Sequence, residues 1–325
     1  MVRSQKTWIA YGLISSAIVL WVGLGALHFR REVERCPPDW VQGPARCCLP
    51  GQSETAARCQ GAPSSCVPPL SSAPAGCVAR AEPVVIQAGT LVLEPTDWDA
   101  PASSKRLTIA MAAFQLDPFE VTHERYASCV RAKVCSSLAK DKEISRPVTQ
   151  ISPAAALAFC EFAGGRLPTH SEWLFAASDG GRLRYPWGPH GLTCRRAAFG
   201  LTNGPCASSA TGPELVGSRP LGARNGLFDL AGNVAEWVSL GPNEFTALGG
   251  SFRSTLPAEL KSWGRSANQG PPRSEPGQPA DDVGFRCAYD ASHVRSVPKA
   301  PTRTLGNRIL EPRSVSPSPS RKTSH

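Results

Sequence analysis

The chain has 325 residues, 41% of them hydrophobic, and a net charge of +9 that is modest for this length. There is room for one large domain or two ordinary ones, and enough apolar material for a core. Twelve cysteines with no C-x-x-C pair exclude an ordinary cytosolic enzyme and point to an oxidising compartment.

Tryptophan supplies 8 of the aromatic residues, against 11 Phe and 4 Tyr, and the chain carries 31 prolines and 29 glycines. That mixture predicts a loop-rich fold pinned by large rings.

Residues Trp8 to Phe29 contain no Asp, Glu, Lys or Arg, a run long enough to cross a bilayer as a helix. Residues 1–7 then form a short cytoplasmic N-terminus. Flanking charge is nearly balanced (Arg3 and Lys6 before; Arg30, Arg31 and Arg35 after, diluted by Glu32 and Glu34), so it does not set orientation. The cysteines do, because all of them follow the span. A single-pass anchor with the C-terminal part periplasmic or extracellular is the expectation. A cleaved signal peptide, with Gly23 and Gly25 as small residues for the cleavage site, is the rival reading.

The stretch 30–82 reads as a Cys/Pro-rich stalk. Cys36, Cys47, Cys48, Cys59, Cys66 and Cys77 can staple a small module with almost no core of its own. An interval of eleven recurs among them, but their connectivity stays open. Zinc suits them less well, since their spacing fits no standard ligand pair and no histidine is present.

The globular part is expected at 83–290. Val84 to Ile86 and Thr90 to Leu93 read as a hairpin around Ala88-Gly89, and Leu107 to Leu116 as a further strand. Thr122 caps a helix over His123 to Val130, with Cys129 and Cys135 placed for a local disulfide. Ser152 caps a second helix that begins at Pro153 and ends before Gly164-Gly165. Thr169 and Glu172 form a capping box for a third, which stops at Asp179-Gly180-Gly181.

From Arg182 onward regular signals fade into loops carrying Trp187, Trp237 and Trp263. Within them Asn225 to Trp237 has neither helical nor strand periodicity. Its Asp229 and Glu236 lie seven residues apart around a glycine. They can supply hard oxygen ligands to a cation such as calcium, or simply satisfy loop amides. The tail 291–325 carries seven Lys/Arg against one Glu and repeated Ser-Pro; it reads as disordered, and its charge suits anionic polymers or lipid head groups.

Several segments fall in the order of one known family. These are Phe119-Glu120-Val121-Thr122 with Tyr126, Ala158-Phe159-Cys160, Gly165-Arg166-Leu167-Pro168-Thr169-His170-Ser171-Glu172-Trp173 and Tyr185-Pro186-Trp187-Gly188. The 225–237 stretch, Gly249-Gly250-Ser251-Phe252 and Gly284-Phe285-Arg286-Cys287 follow. Together they resemble the formylglycine-generating enzyme family, or sulfatase-modifying factor domain. The resemblance implies an α+β, loop-rich fold related to the C-type lectin fold.

Members of that family that convert a sulfatase cysteine to formylglycine bind copper through two cysteines after the G-G-S-aromatic motif. Here Ser254 stands at the first position and the second has no counterpart. A serine does not replace a soft thiolate ligand for Cu(I), so copper is not expected. The resemblance further implies a Cys160–Cys287 disulfide, and one calcium on the side chains of Asp229 and Glu236 with the carbonyls of Gly232 and Val234. A second family disulfide lacks both cysteines, at Ala177 and Trp263. A second calcium site is lost at Ala198-Phe199, where Cys194 and Cys206 stand ready to form a replacement disulfide. The iron-binding helical domain of some relatives has no equivalent, and the histidines (28, 123, 170, 190, 293, 325) are scattered.

The function expected is a membrane-anchored binding or scaffolding module for a peptide, a glycan or an envelope protein. An enzyme of altered, non-copper chemistry around Ser254, Arg253, Arg265 and Glu259 is the alternative.

Overall fold

The computed structural model describes residues 35–291, apart from 57, 68–69, 74–75, 79–81, 94–105, 139–142, 209–211 and 263–279. The apolar run 8–29, the basic tail from 292 onward, Trp263 and Arg265 lie outside the described residues. Among the described residues no helix is long and apolar enough to cross a membrane.

Three helices form where their caps predict. In α1 (His123–Arg131) the Thr122 hydroxyl accepts the Arg125 amide, and Glu124 and Arg131 complement the helix dipole at either end. In α2 (Pro153–Phe162) Ser152 accepts from Ala155, and proline occupies the first turn, where its missing N–H is not needed. In α3 (His170–Ser178) the Thr169–Glu172 box closes reciprocally, and Asp179 ends the helix in a left-handed conformation.

The cysteine-rich segment folds as three short ribbons. β1 (Val41–Gln42) pairs with β2 (Cys47–Cys48), β3 (Ser53–Thr55) with β4 (Arg58–Gln60), and β5 (Ser71–Ala73) with β6 (Gly76–Val78). Disulfides Cys36–Cys47, Cys48–Cys59 and Cys66–Cys77 brace them, each closing an interval of eleven. The recurring interval is thus the pairing rule. The segment expected as a stalk makes contact with the globular part. Leu70 packs against Phe119, Val216 and Phe228, and Arg46 reaches the Glu214 carboxylate at 2.8 Å.

Strand partners depart from the expected hairpin. β7 (Val84–Ile86) and β8 (Gly89–Leu93) do not pair with each other. The run 107–116 splits into β9 (Leu107–Met111), which pairs with β8, and β10 (Phe114–Leu116), which lies between β7 and β14 (Ala288–Asp290). Gln87-Ala88 lacks the residues of a tight reversing turn, and the chain passes there from one sheet to another. The remaining sheet places β11 (Ala235–Gly241) between β12 (Glu244–Leu248), antiparallel, and β13 (Val283–Gly284), parallel.

One core cluster lies where α1 and α2 meet the 283–289 segment. It contains Tyr126, Phe159, Trp237, Phe285 and the Cys160–Cys287 disulfide. A second gathers Leu116, Trp173, Leu174, Leu230 and Val238, and a third Trp187, Phe199, Leu201, Phe252 and Leu260. The loops between α3 and β11 are therefore packed, which is how so little regular structure holds together.

Glu214 should leave an acid signature on stability. Burial alone would raise its carboxyl, but Arg219 and then Arg46 hold it at about 2, below its ordinary 4.5. A carboxylate depressed on folding contributes stability above its unfolded value and loses it as pH falls toward the folded one. The native state should weaken between about pH 4.5 and pH 2, and Glu214→Gln should remove that part of the slope. Urea melts across this pH range, read by tryptophan fluorescence, check this; an unchanged slope in the variant would refute the assignment.

Candidate functional site

Strand alternation sets the 225–237 loop in place. At the start of β11, Glu236 and Trp237 point to opposite faces. The Trp237 indole joins the first core cluster and donates to the Ile151 carbonyl at 2.9 Å. Glu236 faces Arg286 and α3. Arg286 Nε donates to Glu236 Oε2 (2.7 Å) and Nη2 to Oε1 (2.6 Å), while the Trp173 indole N–H donates to Oε2 (2.7 Å).

Arg286 spends its other N–H groups on the carbonyls of Asp117, Pro118 and Phe228. All five guanidinium donors are thus matched at a fully buried position. Burial alone would pull Arg286 down; Glu236 carries it above its ordinary value.

Two more carboxylates border this pair. Asp229, in a left-handed conformation (φ 55), accepts the Gly217 amide on Oδ2 at 2.6 Å. Burial pushes it up to about 6. Glu120 accepts from Asn233 Nδ2 at 3.0 Å on Oε1, while its buried Oε2 has no hydrogen-bond partner. Burial, then the Asp229 charge, raises Glu120 well above its ordinary value. Gly232 shapes the same loop: its φ is +86, and a Cβ there would meet the Ala198 carbonyl oxygen at 2.5 Å.

Whether this loop suits calcium turns on charge and acceptor capacity. Three carboxyl groups, Glu120, Asp229 and Glu236, face a single guanidinium, Arg286, and burial with this crowding raises Glu120 and Asp229 in the absence of a further cation. Glu236 Oε1 accepts one hydrogen bond and retains a lone pair. Carboxylate and carbonyl oxygens are the donors calcium takes. With the orphaned Glu120 oxygen beside them, these residues fit such an ion, though among the described residues no three His, Cys, Asp or Glu side chains converge tightly enough to hold a metal on their own. Glu120, Arg286, Asn233 and Trp173 are the participants that sequence reasoning missed. All four stood in quoted motifs, but nothing in one dimension showed their gathering around Glu236 and Glu120.

Ser254 lies in a different place. It is 4% exposed, and its Oγ accepts the Ser251 amide at 3.0 Å. Ser251 Oγ in turn donates to Asp282 (2.7 Å). Gly250 makes the turn, with φ +66 and room for no Cβ beside the Glu259 carbonyl oxygen and Ser254 Oγ. Arg253 pairs with Asp281 and lies over the Phe252 ring, and Glu259 accepts the amides of Thr255 (2.8 Å) and Leu256 (3.1 Å). The hydroxyl closes a turn, and among the described residues no His, Asp or Glu side chain is hydrogen-bonded to it as an activating base would be.

The expected disulfides Cys129–Cys135, Cys160–Cys287 and Cys194–Cys206 are all formed. Ala198 is buried in the same cluster as the last of these. His123 and His170 open α1 and α3 and stand apart from the acid cluster in the chain.

Residues 71–291 match the family described as Sulfatase-modifying factor enzyme 1-like domain, a match that begins inside the β5–β6 ribbon. A Mus musculus protein named Inactive C-alpha-formylglycine-generating enzyme 2 is 32% identical over 166 residues, covering 47% of this chain and 52% of that protein. The Formylglycine-generating enzyme of Thermomonospora curvata is 31% identical over 176 residues, covering 45% of this chain and 56% of the relative. The chain spans about half the length of the curated relatives it matches. Among solved structures, PvdO from Pseudomonas aeruginosa superposes with a TM-score of 0.50 at 17% identity, over 67% of this chain and 96% of that one, a likeness of fold alone.

Proposed function

The chain belongs to the sulfatase-modifying factor family, and from that membership we propose that its domain is a binding or scaffolding module rather than a formylglycine-generating oxidase. The observation that carries this reading is the state of the sulfur. All twelve cysteines are joined in six disulfides, and none is free. Cu(I) selects thiolate ligands, and a disulfide offers none. Ser254, at the position where the family's first copper cysteine is expected, is buried and engaged in its own turn. Similarity to a relative named as inactive supports the same reading.

The module is anchored in a membrane by residues 8–29, with its domain on the periplasmic or extracellular side, where six disulfides persist. Calcium, held by Asp229 and Glu236 with the carbonyls of Gly232 and Val234, supplies structural charge balance. A peptide, glycan or envelope protein is the partner class, and the basic tail 291–325 contacts anionic polymers or lipids.

Purified full-length chain should take up no stoichiometric copper against a Cu(I) chelator, and should leave a sulfatase cysteine peptide unchanged under oxygen. Appearance of the aldehyde by mass spectrometry would overturn the reading. Asp229→Ala should abolish calcium binding in calorimetry; a calcium-binding variant would remove Asp229 from the ligand set.

A further inference from the structure

The tip of the β1–β2 ribbon carries Gly43, Pro44, Ala45 and Arg46. It is braced from behind by the Cys36–Cys47 and Cys48–Cys59 disulfides, and Glu54 accepts the amides of Ala45 (2.9 Å) and Arg46 (3.2 Å). The tip docks at two points. Arg46 Nη2 donates to Glu214 Oε1 at 2.8 Å, with side chains only 8% and 9% exposed. Arg195 Nη2 donates to the carbonyls of Gly43 (2.7 Å) and Pro44 (2.9 Å).

Glu214 opens the segment that holds the acid-rich loop from outside. Its own amide donates to Asn233 Oδ1 at 2.8 Å, and three residues later the Gly217 amide donates to Asp229 Oδ2 at 2.6 Å. Asn233 passes the restraint on to Glu120. Asp229 and Asn233 both have positive φ (55 and 58), a backbone state that persists in such residues when its surroundings hold it.

We propose that the cysteine-rich module is a positioning element for the calcium loop: through Arg46 and Glu214 it fixes the 214–217 segment whose amides set Asp229 and Asn233. This rests on the calcium reading above. Arg46 touches no ligand and acts through Glu214. Arg219 also grips Glu214, with bonds of 2.7 and 2.8 Å, so loss of Arg46 leaves the segment attached but held from one side.

The test is calcium titration of the purified full-length chain by calorimetry, for the natural sequence, Arg46→Ala and Arg46→Lys, with the calcium-free thermal midpoint of each. Outer partners of metal ligands typically change affinity 10–100-fold, and the lower end suits a residue two steps removed. Arg46→Ala should weaken calcium about tenfold at unchanged stoichiometry and speed hydrogen exchange at the Gly217 amide. Arg46→Lys, which keeps the charge, should recover part of the affinity.

A lower midpoint with unchanged affinity means a merely structural contact and overturns the proposal. A natural chain that gives no calcium heat overturns the calcium reading beneath it, and the proposal with it. Should Arg46→Ala fail to fold, Arg195→Ala loosens the same tip from the other side and carries the same expectation.

Discussion

Replacing Arg286 with Met will destabilise the domain by about 3–5 kcal/mol, the range for removing one partner of a buried ion pair. The loss strands the Glu236 carboxylate in a site that is 1% exposed, leaving it only the Trp173 indole as a strong donor. It also leaves the carbonyls of Asp117, Pro118 and Phe228 without their guanidinium donors. Those carbonyls come from two segments, 117–118 and 228, that Arg286 ties to its own. Pairing Arg286→Met with Glu236→Met should recover part of the loss, because the buried charge is gone. The stranded carbonyls prevent full recovery. Denaturant melts of the two single variants and the double variant measure the coupling; a loss below about 1 kcal/mol for Arg286→Met would place the pair among weakly contributing contacts.

Removing the Cys160–Cys287 disulfide as a paired alanine variant is the second large change. The bond closes a separation of 127 residues, and chain-entropy reasoning gives about 5 kcal/mol for a loop of that size. Cys129–Cys135, separated by only 6 residues, should be worth about 2 kcal/mol by the same relation. The larger value has a second contribution, since Cys160 and Cys287 lie in the cluster with Phe159 and Phe285, whose rings meet edge to face. Guanidinium midpoints of the two paired variants, side by side, test the ranking. Equal losses would mean that local packing, and not chain entropy, decides what these bonds contribute.

Local chemistry was legible wherever it acts between neighbours in sequence. Thr122, Ser152 and the Thr169–Glu172 box start the three helices where the one-dimensional reading put them, because a cap is a bond across three residues. The apolar stretches of 84–93 and 107–116 were recognisable as strands. Their partners were not, since alternation marks a strand's faces and says nothing about its edges. The docking of the Cys/Pro-rich stretch was hidden for a related reason. Its cysteine interval was visible, but the contacts that dock it, Arg46 to Glu214 and Arg195 to Gly43, bridge more than a hundred residues.

By itself the sequence determined the richness in cysteine, the helix starts and the family resemblance through motifs in order. Each depends on residue identity or short spacing. Only the tertiary structure decided that Glu236 is gripped by Arg286, that Glu120 and Asp229 crowd the same buried space, and that Ser254 closes a turn. Burial and charge proximity belong to pairs such as Glu236 and Arg286, whose interaction arises only when folding brings distant segments together and excludes water from between them.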